Sequence, residues 1–394
     1  GSTHETTHPP GEHLARSAST DHASVSCNPM DAMTILMLVA GLILLVVGAE
    51  GLVRGASRIA LSAGISPLVV GLTIGAFGTS SPETAVSVSA VRRGASDIAI
   101  GNVVGSNIFN ILLIVGVCAL VLPLVISWRL VRLEVPLMIG MSVLLWVFAS
   151  DGELDRWEAA ILFAGVVGYT VWAIRASRKE SAAAQKTSAP GAEPQATPSP
   201  WYVNIAYVVG GLVLLVAGSN WMVDSAVEIA ENFGLSELVI GLAIVAAGTS
   251  LPELATSVLA TIKGERDIAV GNVVGSNIFN VLGVLGLSGL VGQNELKAPS
   301  FVQNVDIPVM ILVAAICLPI FFSGRNLMHR YEGFGFIVAY LIYVVYLVWN
   351  SSDSGAPGWY ATIAWLVLAP LAVVVVLVTA WRDRHRPIPE EALR

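Results

Sequence analysis

Long apolar stretches alternate with short polar ones along most of this chain. Runs close to the length a helix needs to cross a bilayer, about 20 residues, fall at roughly 33–52, 67–90, 101–122, 134–150, 157–175, 203–222, 237–260, 271–292, 305–323, 333–350 and 359–381. They predict eleven transmembrane helices. The second and seventh runs are the least apolar, and each carries a glutamate, Glu83 or Glu253, far from its ends. An acid in a membrane span is costly and marks a functional position by default.

The two acids belong to a long internal repeat. Gly-Thr-Ser-x-Pro-Glu occurs at 78–83 and again at 248–253. The decapeptide Gly-Asn-Val-Val-Gly-Ser-Asn-Ile-Phe-Asn occurs at 101–110 and 271–280. Aligning 71–116 with 241–286 gives 29 identical pairs in 46 positions at a constant offset of 170. The copies lie five spans apart, an odd number, so they enter the membrane in opposite directions. This is the inverted-repeat pattern of secondary transporters. The expected fold is an all-α polytopic membrane protein built from two inverted five-helix repeats, a ten-helix core, with an eleventh helix added at the C-terminus.

Composition agrees with that class: 55% of the 394 residues are hydrophobic and 12% are charged. The expected divisions are a polar tail over 1–32, a first repeat over 33–175, a linker over 176–200, a second repeat over 201–350, and an extra span with a basic tail over 351–394. Residues 1–32 read as a disordered N-terminal tail or extension rather than a signal peptide, and the four histidines there lack metal-site spacing. Three cysteines without a CxxC pair define no disulfide framework or zinc site. With the N-terminus outside, sixteen of the 21 Lys and Arg residues fall in inner segments. The positive-inside rule therefore places the N-terminus outside and the C-terminus in the cytoplasm.

The motif chemistry points to a hard cation. Pro82 and Pro252 cannot donate the helical hydrogen bond and must interrupt their spans, which frees carbonyl oxygens that lipid cannot satisfy. Thr79, Ser80 and Glu83 add side-chain oxygens, and Thr249, Ser250 and Glu253 add the same set from the opposite direction. Asn102, Ser106 and Asn110 share one helix face at i, i+4, i+8, as do Asn272, Ser276 and Asn280. Gly101 with Gly105, and Gly271 with Gly275, form GxxxG pairs that admit a close neighbour, or serve packing alone. The set contains neither His nor Cys, which favours Ca²⁺, Mg²⁺, Mn²⁺ or Na⁺ over soft metals. Two carboxylates balance one divalent ion, and when it leaves, Na⁺ or H⁺ must replace it. A lone Ser or Thr in a span ordinarily satisfies a backbone carbonyl, but two acids at matching repeat positions are harder to assign to structure.

Other acids have quieter readings. Glu50 lies in the first span, and its repeat partner is Asn220, so symmetry is broken there. Glu134 and Asp306, near Pro136 and Pro308, read as interfacial. Asp97 and Asp267 read as helix caps.

With these residues in view, the chain resembles the cation/calcium exchanger superfamily, specifically the prokaryotic sodium/calcium exchangers. The resemblance runs from residue 33 to about 350 and is most specific in the two motifs. It implies a mid-membrane cluster of one calcium and several sodium positions. Glu83 and Glu253 would be the shared central carboxylates. Thr79 and Thr249 would ligate calcium largely through their carbonyls. Ser80, Ser106, Ser250, Ser276 and the carbonyls of Ala76 and Ala246 would line sodium positions, and Asn110 and Asn280 would be the matching polar residues on the third and eighth spans. Some relatives, including potassium-dependent ones, carry Asp where Asn280 stands, so the resemblance points to potassium independence.

The implied activity is Na⁺/Ca²⁺ antiport by alternating access across a prokaryotic inner or plasma membrane. Proton-coupled antiport of Ca²⁺ or another divalent cation is the rival. An intramembrane hydrolase is remote, since the spans offer Pro-Glu and no Asp beside Gly. Ca²⁺ and Na⁺ are the transported ions, no prosthetic group is called for, and the lipid bilayer is the surrounding partner. Nothing in the sequence points to nucleic acid or to a protein partner.

Overall fold

A computed structural model describes residues 1, 32–63, 65–187, 200–232, 246–292, 295–322 and 326–350. The linker tip, the start of the seventh span and the eleventh span lie outside these. Eight helices are long and apolar enough to cross a membrane, and two shorter apolar stretches, Leu68–Thr79 and Leu251–Ile262, accompany them. Those two stretches belong to the second and seventh spans, so ten of the eleven expected spans are represented among the described residues.

Helix α1 (Ala32–Ala63) opens the first repeat. The second span is broken into α2 (Pro67–Val70), a π-helical turn at Gly71–Gly75, α3 (Ala76–Thr79) and α4 (Ser81–Arg92). The third runs through α5 (Ser96–Phe109), a π-helical turn at Asn110–Val115 and α6 (Gly116–Val121). Next come α7 (Val135–Phe148) and the 32-residue α8 (Arg156–Thr187). The second repeat follows the same order: α9 (Trp201–Asn232), α10 (Ala246–Thr249), α11 (Leu251–Ile262), α12 (Arg266–Phe279) with a π-helical turn at Asn280–Leu285, α13 (Gly286–Val291), α14 (Ile307–Phe322) and α15 (Arg330–Asn350).

Two features bind the repeats together. Helices α1 and α9 lie against each other along bare glycine backbone. A Cβ on Gly48 would fall 2.8 Å from the Gly211 carbonyl oxygen, and one on Gly218 would fall 2.7 Å from that of Gly41. Small residues permit this approach, and close packing replaces a hydrophobic driving force that lipid cannot supply. The second feature is a pair of short antiparallel bridges on opposite faces. Strand β1 (Leu124–Val125) pairs with β4 (Leu327–Met328), and β2 (Glu153–Leu154) pairs with β3 (Leu296–Lys297). Each bridge joins one repeat to the other.

The core is continuous across the repeats. Ile100, Val104, Ile108 and Leu130 of the first half pack in one cluster with Val270, Val274, Ile278 and Leu285 of the second. The GxxxG expectation is met at Gly271 and Gly275, where a Cβ would lie 2.8 Å from the Leu68 carbonyl oxygen and 2.6 Å from the Leu72 Cα. At Gly101 and Gly105 nothing among the described residues lies within 4 Å of the place a Cβ would occupy.

Candidate ion-binding site

Both Pro-Glu motifs stand at a helix break. The chain leaves helical geometry at Ser80 (φ −80°, ψ 15°) and Ser250 (φ −92°, ψ 10°), and a new helix begins with the proline in its first turn. Proline is tolerated there because that turn's N–H groups lack intrahelical partners anyway. The break sets Glu83 and Glu253 in the first turns of α4 and α11, where the helix dipole favours negative charge.

The two breaks face each other. The Ser250 hydroxyl donates to Glu83 Oε1 at 2.8 Å, and the Ser80 hydroxyl donates to Glu253 Oε1 at 3.0 Å. Each acid is thus held by the serine of the other repeat, and both are 0% exposed. Thr79 Oγ1 donates to Asn272 Oδ1, and Thr249 Oγ1 to Asn102 Oδ1, each at 3.3 Å. Asn102 in turn donates to Ser87 Oγ, and Asn272 to Ser257 Oγ, both at 3.1 Å. Ser276 Oγ lies 3.4 Å from both Glu253 Oε1 and Thr79 Oγ1. Ser106, Asn110 and Asn280 are fully buried as well. The Ala76 carbonyl accepts the Ser80 N–H at 3.0 Å, and Ala246 begins α10.

Five oxygens in this region are buried with no hydrogen-bond partner among the described residues: Glu83 Oε2, Glu253 Oε2, Ser106 Oγ, Asn110 Oδ1 and Asn280 Oδ1. Orphaned buried polar atoms are rare and call for an explanation. All five can serve as acceptors, and neither acid has an ion pair among the described residues. This is the donor set a hard cation requires. No group of three or more His, Cys, Asp or Glu is placed to hold a metal ion among the described residues. A cation here would share two carboxylates with neutral hydroxyl and amide oxygens.

Several expectations change. The carbonyl that Pro252 frees, Gly248 O, accepts the Ser219 hydroxyl of α9 at 2.6 Å rather than being left for an ion. The repeat partner of Ser219 is Ala49, which cannot do this, so symmetry gave no signal of it. Ser219→Ala is expected to lower the unfolding free energy by about 1–3 kcal/mol, the cost of orphaning one buried carbonyl, read as a lower melting midpoint in detergent. Glu50 is paired with Arg54 one turn on and with Lys263 at the end of α11, away from the paired acids.

Glu134 and Asp306, at the starts of their spans, are buried within the protein. Pro136 and Pro308 each remove a helical donor, and the preceding residues form π-helical turns, Leu130–Glu134 and Val302–Asp306. There the Tyr169 hydroxyl donates to Glu134 at 2.7 Å, and Tyr343 to Asp306 at 2.9 Å. Asp97 and Asp267 sit inside first turns rather than at the N-caps, which are Ala95 and Glu265 and make no side-chain cap bond.

Comparison with known proteins identifies this architecture. The sodium/calcium exchanger protein family matches residues 33–175 and 203–349. The chain belongs to that family. Within the exchanger superfamily it is 38% identical over 326 residues to the putative antiporter CaxA of Alkalimonas amylolytica, covering 81% of this chain and 99% of the relative. It is 34% identical over 351 residues to the sodium/calcium exchanger MaX1 of Methanosarcina acetivorans, again covering 81% and 99%. The inner membrane protein YrbG of Escherichia coli is 39% identical over 283 residues, 71% of this chain and 86% of that protein. Among solved structures, the sodium-calcium exchanger NCX_Mj soaked with 2.5 mM Na⁺ and 10 mM Sr²⁺ superposes with a TM-score of 0.67 at 29% identity, covering 79% of this chain and 98% of that one. The exchanger is thus an integral membrane protein of a transporter family, with two inverted repeats and a ten-helix core.

Proposed function

We propose that this exchanger is a secondary antiporter that moves Na⁺ against Ca²⁺, with ions bound mid-membrane between Glu83 and Glu253. The observation that carries the reading is the reciprocal pairing of each acid with the other repeat's serine, beside five buried oxygens without partners. Two carboxylates match the charge of one Ca²⁺. Departure of that ion leaves two buried negative charges, and Na⁺ ions on the same hydroxyl and amide oxygens neutralise them again. The cost of the empty site is what couples the two ions. Family membership supports the ion pair: MaX1 and NCX_Mj are named as sodium/calcium exchangers.

In this reading Thr79 and Thr249 contribute calcium ligands. Ser80, Ser106, Ser250 and Ser276, with the Ala76 and Ala246 carbonyls, line sodium positions, and Asn110 and Asn280 complete the cluster. Access to the site alternates between the two faces of the membrane. The protein resides in a prokaryotic inner membrane with its N-terminus outside, as basic-residue asymmetry and the inner-membrane name of YrbG suggest.

The test is Ca²⁺ uptake into inside-out vesicles. An outward Na⁺ gradient should drive uptake, and collapsing that gradient should stop it. Uptake driven by a pH gradient alone, and indifferent to Na⁺, would replace this reading with proton-coupled antiport.

A further inference from the structure

Asn107 and Asn277 stand in the decapeptides yet lie off the polar face that carries Asn102, Ser106 and Asn110. Both are almost completely buried. Asn107 Nδ2 donates to the backbone carbonyl of Asn277 at 3.2 Å, and Asn277 Nδ2 donates to that of Asn107 at 3.2 Å. Each amide nitrogen also contacts a methionine sulfur, Met310 at 3.5 Å and Met138 at 3.6 Å.

A backbone carbonyl only accepts. The exchange between Asn107 and Asn277 therefore fixes which end of each side-chain amide is nitrogen, a choice that geometry alone leaves open. The remaining atom of each is an oxygen, and each oxygen receives one donor. Asn280 Nδ2 donates to Asn107 Oδ1 at 3.1 Å, and Asn110 Nδ2 donates to Asn277 Oδ1 at 2.9 Å. Those bonds in turn fix the amides of Asn110 and Asn280. Their nitrogens are turned toward the crossing of α5 and α12, and their oxygens are the two carbonyls left buried and unpartnered.

We infer that Asn107 and Asn277 are positioning residues for ion binding: each holds a neighbouring asparagine of the opposite repeat with its carbonyl oxygen, rather than its N–H₂, presented to the cation. The inference rests on the proposed ion site. Without the lock, an Asn110 or Asn280 amide is free to turn and offer hydrogens to a positive charge. With it, the two oxygens are oriented before an ion arrives, so little ordering remains to be done on binding. The interlock also crosses the repeat boundary, so each half orients a ligand that belongs to the other.

The experiment is a double-mutant cycle on the purified full-length protein. Binding of ⁴⁵Ca²⁺ and ²²Na⁺, the KM and kcat of exchange, and the melting midpoint without ions would be measured for Asn277→Leu, Asn110→Leu and the double variant. Leucine matches asparagine in heavy-atom count and branching and leaves no cavity. Asn277→Leu should weaken binding of at least one ion by about tenfold or more, the scale of one hydrogen-bond-like contact to a charge. The double variant should bind no more weakly than Asn110→Leu alone, because Asn277 acts through Asn110. Wild-type binding of both ions by Asn277→Leu, or losses that multiply in the double variant, would overturn the inference. If Asn277→Leu does not fold, Asn107→Leu with Asn280→Leu makes the same measurement in the mirror position. Failure of both to fold assigns the pair to packing and also overturns it. The ion site is tested separately: if Asn110→Leu and Glu83→Gln both bind ions like the wild type, the site reading itself fails.

Discussion

Glu83→Gln and Glu253→Gln should each reduce Na⁺-driven Ca²⁺ uptake by at least about a hundredfold while the protein still folds. Glutamine keeps the length of the side chain and can still accept the facing serine's hydrogen bond, from Ser250 or Ser80. What it removes is one of the two charges that balance a divalent ion out of water. Deleting one partner from a buried set of opposed charges typically costs about 3–5 kcal/mol, which corresponds to roughly two to four decades in binding. Each variant would be purified, checked for a monodisperse elution profile and helical circular dichroism, then assayed for ⁴⁵Ca²⁺ uptake in vesicles under an imposed Na⁺ gradient. Uptake near wild type from a well-folded variant would remove the central claim about these acids. Both variants should fall in this range, although the surroundings are not identical: Ser276 Oγ lies 3.4 Å from Glu253 Oε1, whereas Ser106 Oγ, its repeat counterpart, has no partner among the described residues.

Gly211→Leu should abolish exchange, whereas Gly210→Leu should be nearly silent. A Cβ at Gly211 would lie 2.6 Å from the Leu52 backbone nitrogen and 2.7 Å from the Gly48 carbonyl oxygen. Neither is a side chain that can swing aside, so the whole of α9 would have to move off α1. Overpacking of this kind typically costs about 1–3 kcal/mol, and more where backbone blocks relaxation. Gly210, one residue earlier, faces away, and nothing among the described residues lies within 4 Å of the place a Cβ would occupy there. Melting midpoints and transport rates of the pair, measured side by side, separate loss of a helix contact from a general intolerance of bulk. Equal effects from both substitutions would show that the glycine seam does not govern the α1–α9 contact.

Most of the fold was legible because membrane chains are read by length and by exceptions. Apolar runs near 20 residues gave the ten spans that the described residues represent. The odd number of spans between identical motifs gave the inversion. Glu83 and Glu253 stood out because an acid in hydrocarbon is rare, and Pro82 and Pro252 marked the helix breaks directly. Less visible were interactions whose partners lie far along the chain. Glu134 borders a polar loop, and nothing local shows that it is buried and meets the hydroxyl of Tyr169, 35 residues away. Ser219 is one hydroxyl in an apolar helix whose repeat partner is alanine, so neither local pattern nor symmetry set it apart. Asn107 and Asn277 lay in plain view inside the decapeptides. A helical face at i, i+4, i+8 passes them by, and their role appears only where two helices cross.

The short strand bridges and the exchanged serines mean that neither repeat completes itself. As the chain is made, the first five spans reach the membrane with Glu83 still lacking the hydroxyl of Ser250, which the ribosome adds 167 residues later. Until then Glu83, Glu50 and two strand segments of the first repeat lack partners that they have in the finished fold. The interval between insertion of the two halves is therefore the stage of biogenesis at which the first repeat must stand without the contacts that the second supplies.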